Sequence, residues 1–256
     1  MADLIFDCSF GVSGDMIVGA LLDLGASESV LINTLKSLNI DDYEIKISKI
    51  NKNGTTATDF DVTLKEKNYD NDMSYLYGDK AIDMKIKLKR NLPKICEIIE
   101  NSILSDRAKK IAIDIFSLVA IAEAKAHKID TNEVIFHETG AMDSIIDIVS
   151  IAVCIDNLNL NSIFVNNLRE GKGFIRTRVG TLPIPTPAVE NVLNQYGVKI
   201  DIIDCSYELI TPTGISAIAV LTNFKAPKAN LAYKKIGYGA GKRDYNLPCT
   251  LKAILI

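Results

Sequence analysis

Two histidines occur in 256 residues, and one of them, His137, stands among carboxylates in the run VIFHETGAMDSIIDIVS, residues 134 to 150. His137 and Glu138 follow an apolar run, Thr139-Gly140 breaks it, and Asp143 and Asp147 come one helical turn apart. On a helix this spacing places both carboxylates on one face, extended by Ser150 and Cys154, with Ile145, Ile148, Val149, Ala152 and Ile155 opposite. Two readings fit. One is a solvated helix face with a capping carboxylate. The other is a divalent-metal or proton-handling site, since imidazole suits nickel or zinc, carboxylates suit magnesium or manganese, and a mixed set suits several.

A second group is the turn Asp7-Cys8-Ser9-Phe10-Gly11-Val12-Ser13-Gly14-Asp15 between a strand and a helix start. Free backbone N–H groups there favour an anion. Asp15 would repel a bare phosphate and no GK[ST] follows, so this is not a Walker loop. Carboxylates at both ends, Asp7 and Asp15, suit a phosphate held through a metal ion, or a helix capped by Asp15. Further glycine-bearing runs, read as loops, are Gly171-Lys172-Gly173, Thr211-Pro212-Thr213-Gly214 and Gly237 to Asp244. Lys172, Lys242 and Arg243 could neutralise a phosphate there, and Thr213-Gly214 reads as an anion-binding helix start or a cap. Ordinary turn chemistry explains the same residues. His127, one turn past Glu123, reads as a charge partner at a helix end.

The elements that must position these groups follow from periodicity. Residues 3 to 7 read as a strand, 14 to 24 and 27 to 38 as amphipathic helices, and 43 to 47 and 60 to 64 as half-buried strands. Residues 65 to 91 are the least patterned and make the best boundary. Helices are expected over 92 to 104, 105 to 127 and 141 to 157, with strands at 134 to 136, 162 to 166 and 174 to 178. The proline run LPIPTP forces an extended segment and lets Pro187 open a helix to Tyr196. A helix to Phe224 follows Thr213-Gly214, and the end reads as strand, glycine loop, strand. The expected fold is α/β (mixed α+β). A small β-α-α-β-β unit (1–68) is followed by a connector (69–91) and a larger helix-rich mixed domain (92–256).

A hydrophobic fraction of 48% with 24% charged residues and no long uncharged apolar stretch describes a globular protein without a membrane partner. The net charge of -3 argues against nucleic-acid binding. MADLIFDCSF has no basic region before an apolar segment, so no secretory signal is read and the cytoplasm is expected. Five scattered cysteines without a CxxC pair fit reduced thiols.

The blocks FDCSFGVSGDMIVGALLDLGA, FHETGAMDSIIDIV, GKGFI followed by GTLPIPTPA, ELITPTG and GYGAGKRD, in this order, resemble the LarC family. These are the nickel-insertion proteins of nickel-pincer nucleotide cofactor biosynthesis. The resemblance implies insertion of nickel into a pyridinium mononucleotide carrying two thiocarboxylates, a CTP-dependent cyclometallation that makes the protein a lyase-type metal chelatase. It implies metal handling by His137, Glu138, Asp143, Asp147 and Asp7, with Glu138 and Asp143 catalytic. It implies a ligand grip from Gly14, Asp15, Lys172, Thr213, Gly214, Lys242 and Arg243. The family's HFHE carries Ile135 in place of its first histidine here, its HG is Val179-Gly180, its Pro-Asn is Pro248-Cys249, and its histidine-rich insertion falls at NYDNDMSYLYGDK, which has no histidine. Fewer imidazoles should weaken nickel capture more than ligand binding, leaving His137 with Cys8, Cys154, Cys205 or Cys249 as candidates for a soft site. Family members commonly continue into a C-terminal domain to which nucleotide binding is attributed. A separately encoded domain of that kind is therefore an expected partner, with CTP and magnesium or manganese used only where it is supplied. A homo-oligomer is compatible with this picture. The contrasting expectations are a non-catalytic subunit that binds a metal or a nucleotide-type ligand without nickel chemistry, and a magnesium-dependent phosphate-transferring enzyme, disfavoured by the missing Walker lysine.

Overall fold

The computed structural model of the chain describes residues 2–40, 43–64, 91–134, 136, 141–177, 180–228, 231–245 and 247–256. Most of the expected connector lies outside the described residues, as do Ile135, His137, Glu138, Thr139 and Gly140. Among the described residues the order is β1 (Leu4–Asp7), α1 (Gly14–Asp23), α2 (Glu28–Lys36), β2 (Tyr43–Lys52), β3 (Thr55–Leu64), α3 (Leu92–Glu100) and α4 (Asp106–His127). Then come a 3-10 turn (Thr131–Glu133), α5 (Ala141–Asn157), β4 (Ile163–Asn166), β5 (Arg169–Glu170), β6 (Gly173–Thr177) and β7 (Gly180–Ile184). The chain closes with α6 (Pro187–Tyr196), β8 (Asp201–Ile202), α7 (Pro212–Thr222), β9 (Lys235–Ala240) and β10 (Thr250–Leu255). The fold is mixed α/β, as the periodicity predicts.

One six-stranded sheet runs β2-β3-β9-β10-β1-β4. β1 is parallel to β4 and antiparallel to β10, while β3 meets β9 in parallel through Thr58 and Gly239. The hairpin of β2 and β3 thus shares its sheet with the last two strands. Leu4, Ile5 and Phe6 of β1 are buried, as expected of an apolar strand covered on both faces. α1 lies on β3 and β9, α5 and α7 contact α1, and α4 packs on α5, α6 and α7. No helix among the described residues is long and apolar enough to cross a membrane.

Local chemistry sets the helix ends. Ser27, Asn91, Ser105 and Thr211 each accept a backbone N–H from the first turn of the helix they precede. Gly25, at φ +106°, turns the chain after α1. Pro187 opens α6 as expected.

Two local expectations change. Val134 and Phe136 are not in a strand; Asp130 and Glu133 form a reciprocal capping box that closes a 3-10 turn, and Phe136 packs edge-on to Phe116 at 5.7 Å. The run from Gly237 to Ala240, expected to be loop, is the body of β9. Its glycines are there because α1 lies backbone-to-backbone on the sheet: a Cβ on Gly239 would stand 1.9 Å from the Met16 carbonyl oxygen, and one on Gly237 2.6 Å from that of Ala20. Gly19, from the helix side, would meet the Thr58 carbonyl at 2.3 Å.

Gly239→Ala is therefore expected to cost about 3 kcal/mol or more of unfolding free energy, because backbone must move to admit the methyl. Gly241→Ala, whose nearest neighbour is the flexible Met16 side chain at 3.2 Å, should cost much less. Denaturant unfolding of both variants tests the close contact, and equal losses would contradict it.

Candidate functional site

The starts of α1 and α7 lie side by side. Val12 N–H donates to the Leu209 carbonyl (2.9 Å) and Thr211 N–H to the Val12 carbonyl (3.0 Å), a one-bridge parallel pairing of Val12 and Ile210. Gly214 fits because a Cβ there would be 2.3 Å from the Val12 oxygen. Thr211, and not Thr213, caps α7, its hydroxyl oxygen accepting the Gly214 N–H at 3.1 Å. Gly14 performs the same service towards α5: a Cβ would come 2.5 Å from Asp147 Oδ2. These glycines are spacers that let two helix starts and a buried carboxylate share one place.

Into this place the loop after β9 carries Lys242. Its Nζ lies 3.0 Å from Asp61 Oδ1 and 4.0 Å from Asp143 Oδ2. Asp15, 8% exposed, accepts from the Ser13 hydroxyl and from Met16 N–H (2.9 Å). Asp147 is enclosed; burial first, then Asp15 and Asp143, push its carboxyl well above the usual range, against the pull of Lys242 and the Asp15 N–H. Asp59 is raised by burial and by Asp61 and Asp15. Burial opposes charging Lys242, but Asp143, Asp15 and Asp61 outweigh it and hold the ammonium above its ordinary value. Five carboxylates, Asp15, Asp59, Asp61, Asp143 and Asp147, thus act on one lysine or on each other.

The other predicted residues lie elsewhere. Asp7 closes a turn at the end of β1, accepting from Ser9 N–H (3.2 Å), Ser9 Oγ (2.5 Å) and Asn167 Nδ2 (3.1 Å). Lys172 pairs with Asp204 at 2.9 Å. Arg243 reaches Glu208 Oε2 (3.3 Å) and the Tyr245 hydroxyl (3.1 Å). His137 and Glu138 lie outside the described residues. Among the described residues no three His, Cys, Asp or Glu side chains are arranged to hold a metal ion. His127 sits 3.5 Å from Glu123, the helix-end pairing its spacing predicts. All five cysteines are free. Burial raises the Cys8 thiol far above its usual range and the Cys154 thiol up to about 12, so neither offers a thiolate near neutral pH.

Sequence reasoning passed over Asp59 and Glu170. Asp59 shares a strand face with Asp61 through the period-two alternation of TDFDV, a signal that says nothing of what the face meets. Glu170 is fully buried and accepts N–H groups from Gly171 (2.7 Å), Leu209 (2.6 Å) and Ile210 (3.1 Å). Burial still lifts its carboxyl to about 7. It fixes the segment that leads into α7, and no local pattern marks it.

Fold and site together define a mixed α/β protein with an acidic, lysine-centred site where helix starts meet. The sequence model of the family described as "Nickel insertion protein" matches residues 4–256, and the chain belongs to that family, as its ordered motif blocks predict. It is 44% identical over 99% of its length to the pyridinium-3,5-bisthiocarboxylic acid mononucleotide nickel insertion protein of Alkaliphilus metalliredigens, and 39% identical over 100% to that of Acetivibrio thermocellus. The protein of the same name from Clostridium acetobutylicum is 38% identical over 100% of the chain. The chain spans 60%, 60% and 64% of the lengths of these three relatives. No solved structure matches it.

The site yields a pH prediction. A carboxyl raised on folding binds its proton more tightly in the folded chain, so its stabilising contribution is complete below the unfolded value near 3.8 and is lost as pH rises through the folded value. Asp147→Asn removes this loss. Thermal unfolding between pH 4 and pH 8 should show the variant gaining on the parent as pH rises; a pH-independent difference would contradict the buried, repelled carboxyl.

Proposed function

We propose that this chain handles nickel and holds the organic ligand in nickel insertion into pyridinium-3,5-bisthiocarboxylic acid mononucleotide. What carries the reading is the gathering of Asp15, Asp61, Asp143 and Asp147 around Lys242 in a chain of the nickel insertion family. Among the described residues no three such side chains are yet arranged to hold a metal ion, so a divalent cation would have to draw these carboxylates together in place of the ammonium. Replacing one positive charge by two relieves more of the repulsion that raises Asp147. Nickel uptake then displaces Lys242 and releases protons, which couples metal binding to pH.

In this reading His137 adds the imidazole that nickel favours, Glu138 and Asp143 are the catalytic carboxylates, and Asp147 completes the metal's charge compensation. Asp7 contributes by holding the first glycine turn. The starts of α1 at Gly14 and Asp15 and of α7 at Thr213 and Gly214, with Lys172, Arg243 and the displaced Lys242, receive the phosphorylated ligand. CTP with magnesium or manganese, where it is used, falls to a C-terminal domain of the kind the family commonly carries. The cytoplasm is the compartment that fits reduced thiols and this chemistry.

Titration calorimetry with nickel(II) tests the assignment. A micromolar or tighter site is expected, abolished by His137→Ala and weakened about tenfold or more by Asp143→Asn. Nickel affinity should rise with pH across the range in which Asp147 loses its proton. Unchanged binding in His137→Ala would remove that residue from the metal site, and absence of any nickel binding by the folded parent would favour a ligand-binding subunit without metal chemistry.

A further inference from the structure

Tyr245, three residues past Lys242, belongs to a pair of tyrosines with no role so far. Tyr207 and Tyr245 stack with ring centroids 3.9 Å apart and planes 14° from parallel. Tyr245 is the inner ring. Its hydroxyl accepts from Arg243 and donates to the Glu208 carbonyl at 3.5 Å, and Arg243 is itself held by the Glu208 carboxylate. Tyr207 is the outer ring and is 48% exposed.

The exposed ring is held firmly. The Tyr207 carbonyl packs over Gly171, where a Cβ would stand 2.0 Å away, and Glu170 binds the N–H groups of Gly171, Leu209 and Ile210 around it. Nearly face-to-face stacking is a poor arrangement for two electron-rich rings alone, because their negative faces meet. The exposed negative face of Tyr207 attracts an electron-poor cationic ring. Tyr245 follows Lys242 by three residues in the loop between β9 and β10, so the ring pair and the carboxylate-bound lysine belong to one structural unit.

We propose that the outer face of Tyr207 is the stacking platform for the pyridinium ring of the mononucleotide. The inference rests on the function proposed above and adds the subsite for the ring. A ring there stacks on the partner of Tyr245, which belongs to the same loop as Lys242.

The probe is the 3,5-dicarboxylic acid analogue of the pyridinium mononucleotide, which keeps ring, charge and phosphate but lacks the sulfur that holds nickel. Its binding is measured by calorimetry, with ribose 5-phosphate as the ringless control and circular dichroism to confirm folding. Tyr207→Phe, which keeps the ring face, should bind within about twofold of the parent, and Tyr207→Leu about tenfold more weakly. The affinity for ribose 5-phosphate should be the same in all three. Equal affinity of parent and Tyr207→Leu for the analogue, or equal loss in Tyr207→Phe and Tyr207→Leu, overturns the platform and leaves the nickel reading standing. A folded parent that does not bind the analogue overturns both.

Discussion

The backbone-to-backbone contact of α1 with β9 and β3 is the constraint from which the rest of the site follows. Gly19, Gly237 and Gly239 remove the side chains that would keep helix and sheet at their ordinary separation. That approach sets the height of the α1 start above the strands, and with it the positions of Ser13, Gly14 and Asp15. From there the α7 start is fixed by the Val12 and Ile210 bridge, and α5 by the seat that Gly14 leaves for Asp147. The loop after β9 leaves the same strand that touches α1, which is how Lys242 reaches Asp61 on β3 and Asp143 on α5 together.

Placing so many carboxylates at one point is unfavourable unless a cation joins them. Burial and mutual repulsion both raise Asp147, and Lys242 is the charge that offsets them. A lysine in this role can leave, since its stem is flexible and its head is a point charge with no fixed geometry. On the proposed function, the carboxylates then exchange protons for a divalent ion. The buried thiols of Cys8 and Cys154 make no such exchange, because burial keeps them protonated. On the proposed function the cation goes to oxygen and imidazole donors.

The sequence made the elements legible and left their assembly hidden. Periodicity delivered the helices around Met16, Leu31, Phe116 and Ile148, and the one-turn spacing of Asp143 and Asp147 on α5, because these are local signals. The placing of β9 beside β3 is decided by long-range pairing, so Asp59 and Asp61 could not be assigned to the same site as Asp143. Gly237 and Gly239 read as loop because glycine is rare inside strands, and the reason for them lies on another element. Glu170 and the Tyr207 and Tyr245 stack leave no trace in spacing at all. The family, by contrast, was legible from the order of its blocks.

The central claim is that nickel enters the carboxylate group that Lys242 now neutralises. Nickel K-edge X-ray absorption of the nickel-loaded chain addresses it directly. The account predicts a first coordination shell of oxygen and nitrogen without sulfur, altered when Asp143 and Asp147 are both replaced by Asn. A shell containing sulfur from Cys205 or Cys249, or a spectrum indifferent to those two replacements, would contradict it.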